Sequence, residues 1–250
     1  MPKVSFVMPN RNKEAYLSDS IQSVLNQTLE DIELIIVDNN STDNSVKIIT
    51  DYMEKDSRII LYSHNLPDDM HVAVRIDDAR NFGNEQANSD IICVQDSDDI
   101  SFPERAELTY KAFQENPDCG LFYGTFLQRD KNMEIDRTLF ERFISSEFSK
   151  NILKKSGLFF IGHLTCAYKK NVILKYPYNS DDIGVGDWGM FYRLLIRNKI
   201  KYCFTEEPLC VYRVMGTAFK ELADNNNYDK NKTDYLWNKK KKKMELLGDL

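Results

Sequence analysis

Three aspartates stand within four positions near the middle of the chain, immediately after a short apolar run. Asp96, Asp98 and Asp99 follow Ile91–Val94, four residues that are typical of a buried strand. Carboxylates at this spacing repel one another, and a hard divalent cation offsets the repulsion while leaving coordination positions for phosphate oxygens. The stretch therefore predicts a cation and phosphate site. It is not an EF-hand loop, because Ile100 stands where a third oxygen ligand belongs.

Polar residues also follow two earlier apolar runs, at Pro9–Asn12 and at Asp38–Asn40. Asparagine and aspartate are common in turns, so either group alone carries little weight. Open α/β sheets, however, bind ligands at the carboxyl ends of their strands, and three polar groups along one edge favour a binding site. The segment Gly184–Gly189 formally matches GxGxxG, but it follows polar, proline-containing sequence, and no GxxxxGK[ST] phosphate loop occurs in the sequence.

Strand-like and helix-like patterns alternate over the first hundred residues, which predicts an α/β fold with a Rossmann-like, mainly parallel sheet flanked by helices. Apolar strands are expected at 3–8, 31–38, 58–63 and 90–96. Helices are expected at 16–27, at 41–53 with Ser41, Thr42 and Asp43 as capping residues, and briefly at 80–89. The stretch Leu66–Asp78 is interpreted as a long loop in which His71 is exposed.

The second part of the chain is less regular. Ser101 and Glu104 fit a capping box for a helix that ends near Asn116. Strands are expected within 119–127, 164–169 and 200–205, and an amphipathic helix at 190–198. The polar segment from Ala218 contains the basic run Lys239–Lys243, which fits either contact with an anionic membrane or a solvated tail.

Composition argues against several classes of protein. The net charge is −6 and the pI is near 5.3, so there is no overall basic field to hold nucleic acid. The five cysteines are scattered without a CxxC pair, which predicts reduced core residues of a cytoplasmic protein rather than a disulfide framework or a zinc site. The sequence has no apolar signal segment and no run long enough to span a membrane, so a soluble or at most peripheral protein is expected.

Four ordered motifs resemble the glycosyltransferases of family 2, which have a GT-A fold. The opening "SFVMPNRNKEAYLSDSIQSVLNQTLEDIELIIVDNNSTDNS" resembles the first two strands of that family. "ARNFGNEQANSDIICVQDSDD" resembles its ARN segment and DXD metal motif, and "VGDWGMFYRLL" resembles its later acid motif. The resemblance implies a single GT-A domain with a nucleotide-sugar-binding half at 1–99, an acceptor-binding half at 100–217 and a polar, basic tail at 218–250.

Carried over residue by residue, the resemblance implies a role for each motif position. The nucleotide site would comprise Pro9, Asn10, Asn12, Asp38, Arg80, Asp96 and Ser97, and the ligands of Mn²⁺ or Mg²⁺ would be Asp98 and Asp99. Asp187 would be the general base, and His163 and Trp188 would contact the acceptor. Plainer interpretations stay open: Arg80 paired with Asp77 or Asp78, Asp187 as an acid favoured at a helix N-terminus, and His163 and Trp188 as structural residues.

The implied activity is metal-dependent, inverting transfer of a sugar from a nucleoside diphosphate donor, with uridine favoured, to a glycan or lipid-linked acceptor. Two departures from the family pattern support a second hypothesis, a catalytically inactive module that binds nucleotide-sugar. Gly186 replaces a Glu before Asp187, and "VYRVMGT" lacks the metal-binding His that follows it in many members. Nucleotidyl or phosphoryl transfer is a third hypothesis, but the start of the first helix offers only Arg11 and Lys13 as a phosphate clamp.

Overall fold

Helices cover both faces of one eight-stranded sheet. The structure, a computed structural model, describes residues 1–67, 69–130, 161–179 and 186–214. The strands are β1 (Val4–Asn10), β2 (Ile32–Asp38), β3 (Ile59–Ser63), β4 (Ile91–Val94), β5 (Ile100–Ser101), β6 (Leu121–Asp130), β7 (Ala167–Lys169) and β8 (Tyr202–Val214). The helices are α1 (Leu17–Leu25), α2 (Ser45–Met53), α3 (Val72–Gln86), α4 (Arg105–Glu115), α5 (Lys170–Lys175) and α6 (Gly186–Phe191).

Two shorter features complete this description. A 3₁₀ turn spans His163–Thr165, and α6 continues into a π-helical segment at Tyr192–Arg197. Within the described ranges, no helix combines the length and the apolar character needed to cross a membrane. The basic run Lys239–Lys243 and the side chain of Trp188 lie outside the described residues.

The strand order explains why the polar groups of the sequence meet. Along the sheet the order is β3-β2-β1-β4-β7-β6-β8-β5. Strands β1 to β4 are parallel, as predicted, and β6 is parallel to β8. Antiparallel pairs β4–β7, β6–β7 and β5–β8 join the second part of the chain to the same sheet. Because β1, β2 and β4 run in one direction, the polar residues that follow them share one edge, which we call the donor edge.

Alternation along β1 gives each face of the sheet its own core. Phe6 packs with residues of α1, α2 and α4 on one face, and Val7 packs with residues of α3, α5 and α6 on the other. The predicted apolar stripe of α1 is confirmed, since Leu17, Ile21 and Val24 are fully buried. Burying each of these side chains contributes about 1.5–3 kcal/mol, which holds α1 and the loop before it against the sheet.

Helix α3 is longer than the short helix predicted at 80–89, and the prediction of a loop over Leu66–Asp78 is wrong beyond residue 71. His71 is exposed, as expected, but it caps α3, because its Nδ1 accepts a hydrogen bond from the Ala73 amide at 3.2 Å. The first turns of α3 expose Val72 and Ile76. They therefore lack the regular apolar face that marks a helix in sequence.

Gly83 allows α3 to lie close to the sheet. A Cβ atom at this position would lie 2.5 Å from Cγ1 of Val7 and 3.1 Å from Cγ2 of Val37. Only a residue without a side chain fits this contact without displacing a neighbour. The close packing brings Arg80, one turn earlier on α3, to the donor edge.

The predicted capping box at Ser101 is wrong. Helix α4 begins at Arg105 and ends at Glu115, close to the predicted end. Ser101 lies in β5, where its hydroxyl donates a hydrogen bond to Oε1 of Gln95 at 2.6 Å and accepts one from Arg105 at 2.9 Å. Ser101 therefore bonds to buried polar side chains from other parts of the chain instead of capping the helix that follows it.

The capping residues predicted for α2 are also wrong, because the helix begins at Ser45, after Ser41, Thr42 and Asp43. The Ser41 hydroxyl instead donates to Oδ1 of Asp38 at 2.6 Å. Asp43 accepts the Ser45 amide through Oδ1 at 2.9 Å and the Glu14 amide through Oδ2 at 3.0 Å. These residues therefore shape the loop after β2 rather than the helix end.

The prediction of reduced cysteines holds for three of the five. Cys93, Cys166 and Cys210 are buried and free. Cys119 and Cys203, 84 residues apart, form a disulfide, which contradicts the expectation that the scattered cysteines without a CxxC pair are all reduced. The parallel pairing of β6 with β8, which aligns Leu121 with Tyr202, brings the two thiols together.

Candidate active site

Asp38, at the end of β2, is the most heavily bonded acid of the donor edge. Its Oδ1 accepts hydrogen bonds from Asn10 Nδ2 at 2.8 Å and from the Ser41 hydroxyl at 2.6 Å, and its Oδ2 accepts the Ser41 amide at 3.0 Å. The Oδ1 atoms of Asn10 and Asn39 are buried and have no hydrogen-bond partner among the described residues. A buried acceptor without a partner is costly, so a ligand with N–H or O–H donors would satisfy both.

Asn12 connects the loops that follow β1 and β2. Its φ is 51°, in the left-handed region that asparagine tolerates better than most residues. Its amide donates to the Ser41 hydroxyl at 3.0 Å, and its Oδ1 accepts the Thr42 amide at 2.7 Å. Pro9 is the penultimate residue of β1 and pairs with Val37. The structure thus brings Pro9, Asn10, Asn12 and Asp38 together, as the motifs predict.

Arg80 reaches from α3 to the aspartate cluster after β4. Its NH2 donates to Oδ1 of Asp96 at 2.8 Å, whereas its NH1 lies 3.9 Å from Oδ1 of Asp77. Asp78 pairs with His64 instead, at 2.6 Å. The main ion pair of Arg80 is therefore with Asp96, not with Asp77 or Asp78 as the local alternative supposed.

The Arg80–Asp96 pair stays charged. Burial alone would raise the pKa of Asp96, but the positive charge of Arg80, aided by His163 and Lys13, lowers it below the ordinary value. Burial would likewise lower the pKa of Arg80, and the negative charge of Asp96, with a smaller effect from Asp187, raises it. Both acids therefore act on one guanidinium group, which links the aspartate cluster to α6.

The two aspartates predicted to bind metal lie in different surroundings. Asp98 is partly exposed, and its Oδ2 lies 2.5 Å from the Lys13 ammonium. Asp99 is only 2% exposed; its Oδ1 accepts the Arg213 amide at 2.8 Å, and its buried Oδ2 has no partner among the described residues. Burial, together with the charges of Asp96 and Asp98, raises the pKa of Asp99 well above its ordinary value. Of the two predicted ligands, Asp98 is therefore the accessible one and Asp99 the buried one.

The two carboxylates suit a hard cation chemically, but they do not supply enough ligands to complete its coordination. No cluster of three or more His, Cys, Asp and Glu side chains suited to a metal ion occurs within the described ranges. Two carboxylates would leave several coordination positions of Mn²⁺ or Mg²⁺ to diphosphate oxygens and water, which is the usual arrangement for Mg²⁺ bound with a phosphate substrate. The orphaned Oδ2 of Asp99 is consistent with such an ion.

A buried polar layer, which sequence reasoning missed, holds the backbone of the aspartate cluster. Gln95 donates through Nε2 to the carbonyl oxygens of Asp96 at 3.1 Å and Asp99 at 3.0 Å. Arg105, only 1% exposed, donates to the carbonyl oxygen of Val94 at 2.6 Å. Ser97 is also buried within this loop. Only one signal was available in sequence, an arginine on the face of α4 that also carries Ala106 and Thr109.

Asp187 lies in the first turn of α6 and is partly buried. It is close enough for its charge to act on both Arg80 and His163. His163 is buried, and its Nε2 shares a hydrogen bond of 2.9 Å with the Tyr178 hydroxyl. Burial, followed by the charge of Arg80, lowers the pKa of His163 to about 4, so the ring is neutral near neutral pH. These contacts fit the interpretation of His163 as a structural residue.

A mixed sheet with polar loops and an aspartate cluster along one edge is the arrangement of the GT-A fold class. Comparison with known proteins gives the family. The model of glycosyl transferase family 2 matches residues 5–176, and the chain belongs to that family. It is an enzyme of the glycosyltransferase class, as the motifs predicted.

Relatives and solved structures extend the comparison. An uncharacterized glycosyltransferase of Methanocaldococcus jannaschii is 32% identical over 85% of this chain and 71% of its own length. The O-antigen biosynthesis glycosyltransferase WbnJ of Escherichia coli is 28% identical over 88% of this chain and 83% of its own. With two further curated relatives the match is shorter: it covers 40% of each relative's length and 43% and 52% of this chain.

Glucosyl-3-phosphoglycerate synthase of Mycobacterium tuberculosis shares the fold. Its structure in complex with Mn²⁺, uridine diphosphate and glucosyl-3-phosphoglycerate superimposes with a TM-score of 0.64 and 16% identity. The superposition covers 89% of this chain and 75% of that one.

Proposed function

We propose that this glycosyltransferase moves a sugar from a uridine diphosphate donor to a hydroxyl group of a glycan or lipid-linked acceptor, with inversion at the anomeric carbon and with a divalent cation. The observation that carries the proposal is the ion pair between Lys13 and Asp98, at 2.5 Å. It joins the loop after β1, which follows the hydrogen-bonded pair of Asn10 and Asp38, to the aspartate cluster after β4. A nucleoside and its diphosphate would then lie side by side along the donor edge.

The base and the ribose would be held at the first part of this edge. Asp38 and the unpartnered Oδ1 atoms of Asn10 and Asn39 are acceptors, one of which would take the single N–H of the uracil ring. Asp96, fixed by Arg80, is an acceptor for the ribose hydroxyls. Pro9, Asn12 and Ser97 would shape the pocket walls.

Asp98 and Asp99 would hold the cation against the diphosphate. When bound, Mn²⁺ or Mg²⁺ neutralises negative charge on the leaving phosphate. The bond from the anomeric carbon to the phosphate oxygen breaks while an acceptor oxygen attacks from the opposite side. Asp187 would accept the proton of that acceptor hydroxyl, which requires a hydrogen bond between the two groups. Trp188, beside it in sequence, would contact the acceptor.

Relatives support this reaction class. WbnJ is described as an enzyme of O-antigen biosynthesis, a glycan product, and the mycobacterial enzyme is bound to Mn²⁺ and uridine diphosphate. The proposed membrane contact of Lys239–Lys243, and with it a peripheral location at the inner face of the membrane, depends on the sequence alone.

The competing candidate is a domain that binds nucleotide-sugar without turnover. Gly186 in place of a Glu, and the incomplete set of protein ligands for a cation, favour it. It differs from the proposal in one respect, since it gives Asp187 no chemical role.

The test is release of nucleoside diphosphate from a panel of UDP-, GDP- and dTDP-sugars, with and without Mn²⁺. We expect wild-type protein to hydrolyse one donor slowly in the presence of metal, and Asp187→Asn to lose this activity. Asp90→Asn, an exposed acid at the opposite end of β4, is the matched control. Tight binding of a donor with no turnover, even with acceptors added, would favour the inactive module. Absence of any donor binding would contradict both.

A further inference from the structure

Tyr178 lies at the junction between the donor edge and α6. It is only 4% exposed. Its ring faces the guanidinium carbon of Arg80 at 5.5 Å, and Arg80 in turn holds Asp96. Its hydroxyl shares the 2.9 Å hydrogen bond with His163. The buried side chain of Tyr178 therefore contacts two residues. One is Arg80, whose guanidinium group holds Asp96, and the other is His163, which was predicted on the acceptor side.

The backbone of Tyr178 is fixed as firmly as its ring. The side-chain amide of Asn81 donates to the Tyr178 carbonyl at 2.9 Å and accepts the Tyr178 amide at 2.9 Å. Both backbone hydrogen-bonding groups of Tyr178 are thus satisfied by one side chain of α3. Asn81 directly follows Arg80, so the same turn of α3 holds the tyrosine and the aspartate.

Contacts on the other side of Tyr178 lead to α6. Arg193, in the π-helical segment that continues α6, donates through NH2 to the carbonyl oxygen of Pro177. The ring of His163 lies 6.2 Å from that of Phe191, the last residue of α6. Segment 177–178 is consequently held between α3 on one side and the α6 unit on the other.

We propose that Tyr178 is a positioning residue, which sets where α6 presents Asp187 relative to Arg80 and the donor. The inference depends on the proposed role of Asp187 as the general base. Its physical basis is that a base must lie within hydrogen-bond reach of its proton, and an error of about 1 Å in such geometry can cost about a hundredfold in rate. Binding of the donor, which uses the loops after β1, β2 and β4, does not need the Tyr178 hydroxyl.

The principal variant is Tyr178→Phe, which keeps the ring against Arg80 and removes the hydroxyl that bonds to His163. We expect kcat to fall about tenfold while KM for the donor changes less than twofold, because the lost interaction acts on the chemical step. His163→Phe should have a similar effect, and the double variant should be no worse than either, because both remove one hydrogen bond. His163→Gln, which retains a hydrogen-bonding group, should recover most of kcat. Tyr110→Phe, on the distant α4, is the matched control.

A second readout does not depend on activity. Amide hydrogen exchange of residues 186–197 in the unliganded protein should become about tenfold faster in Tyr178→Phe and unchanged in Tyr110→Phe, because the His163 ring that lies beside Phe191 of α6 loses its hydrogen bond. Unchanged exchange in this segment would overturn the proposal whether or not a donor is found. If amide exchange of residues 186–197 is faster in Tyr178→Phe but the wild-type protein turns over no donor, Tyr178 anchors α6 and has no role in catalysis. Additive losses of kcat in the double variant would also contradict it.

Discussion

Lys13 and Asp98 form an ion pair across the donor edge, with Nζ and Oδ2 2.5 Å apart although the residues are 85 positions apart in the chain. The side chains are 32% and 20% exposed, so the pair adds no more than about 1 kcal/mol to stability. Its importance concerns ligands, because the ammonium group occupies one oxygen of a carboxylate that we propose as a cation ligand.

We expect Lys13→Met to strengthen the binding of Mn²⁺ alone by roughly fivefold, since about 1 kcal/mol of competition is removed from Asp98. Electron paramagnetic resonance of free Mn²⁺, in the absence of nucleotide, measures this directly. Lys47→Met, which removes the exposed ion pair with Asp51, should leave Mn²⁺ binding unchanged. Weaker binding in Lys13→Met would mean that Lys13 orients Asp98 rather than competing for it.

Replacing Gly83 by alanine should destabilise the protein, although alanine is the better helix former by about 1 kcal/mol. The new methyl group would overlap Val7 at 2.5 Å, and overpacking of this kind costs about 1–3 kcal/mol. Urea unfolding monitored by circular dichroism gives the change in free energy. Glu85→Ala, on the exposed side of the same helix, should be neutral or slightly stabilising. A Gly83→Ala protein as stable as wild type would show that α3 can move away from β1.

Much of the donor edge was predictable because its residues follow strands directly. A strand end fixes where the next side chains lie, so the apolar runs before Asp38 and Asp96 were sufficient to predict their proximity. Tyr178 and Arg105 were not predictable in this way. Their contacts join residues far apart in the chain, at 97 positions for Tyr178 with Asn81 and 61 for Arg105 with Cys166, and no local pattern marks them.

Local rules failed where a tertiary partner outweighed them. Ser101 has the sequence of a helix cap, yet it bonds to buried Gln95 and Arg105. The start of α3 exposes Val72 and so resembles a loop in sequence. Cys119 and Cys203 could not be paired without knowing that β6 and β8 are neighbours.

His163 should make stability depend on pH in the acid range. Its pKa is about 4 in the folded protein and about 6.5 in the unfolded chain, because burial, and then Arg80, disfavour the charged ring, whereas Asp187 and Asp96 favour it. Between these values the unfolded chain binds the additional proton. Stability from this group is therefore complete above about pH 6.5 and is lost as the pH falls towards 4.

Urea unfolding of wild type and His163→Gln over this pH range isolates the effect. We expect the wild-type free energy of unfolding to fall more than that of the variant, by a difference on the order of 3 kcal/mol. Asp99 titrates in both proteins and cancels in the comparison, whereas the loss of the His163 charge beside Asp96 is part of the measured difference. Parallel pH profiles would mean that His163 is not held neutral by its surroundings.

Reduction of the Cys119–Cys203 disulfide should lower the free energy of unfolding by about 2–4 kcal/mol, because the bond closes a long loop in the unfolded chain. Thiol titration of the denatured protein checks the starting state, which should show three free thiols before reduction and five after it. A Cys203→Ser variant should be as stable with reductant as without it. Five free thiols in protein purified without a reductant would contradict the disulfide between Cys119 and Cys203.

The strand order also determines when the donor edge becomes complete during synthesis. Strand β4, which precedes the aspartate cluster, forms hydrogen bonds on one side with β7, and β5 pairs with β8 through Ser101 and Cys210. A nascent chain that has just produced Asp99 thus has an open sheet edge beside its most charged loop. Native pairing of β4 must wait for β7, which begins at Ala167, and that of β5 must wait for more than a hundred further residues, up to Cys210. Such long-range pairing is slow, and unpaired edges associate with one another, so this protein is expected to need protection on the ribosome before it can bind any donor.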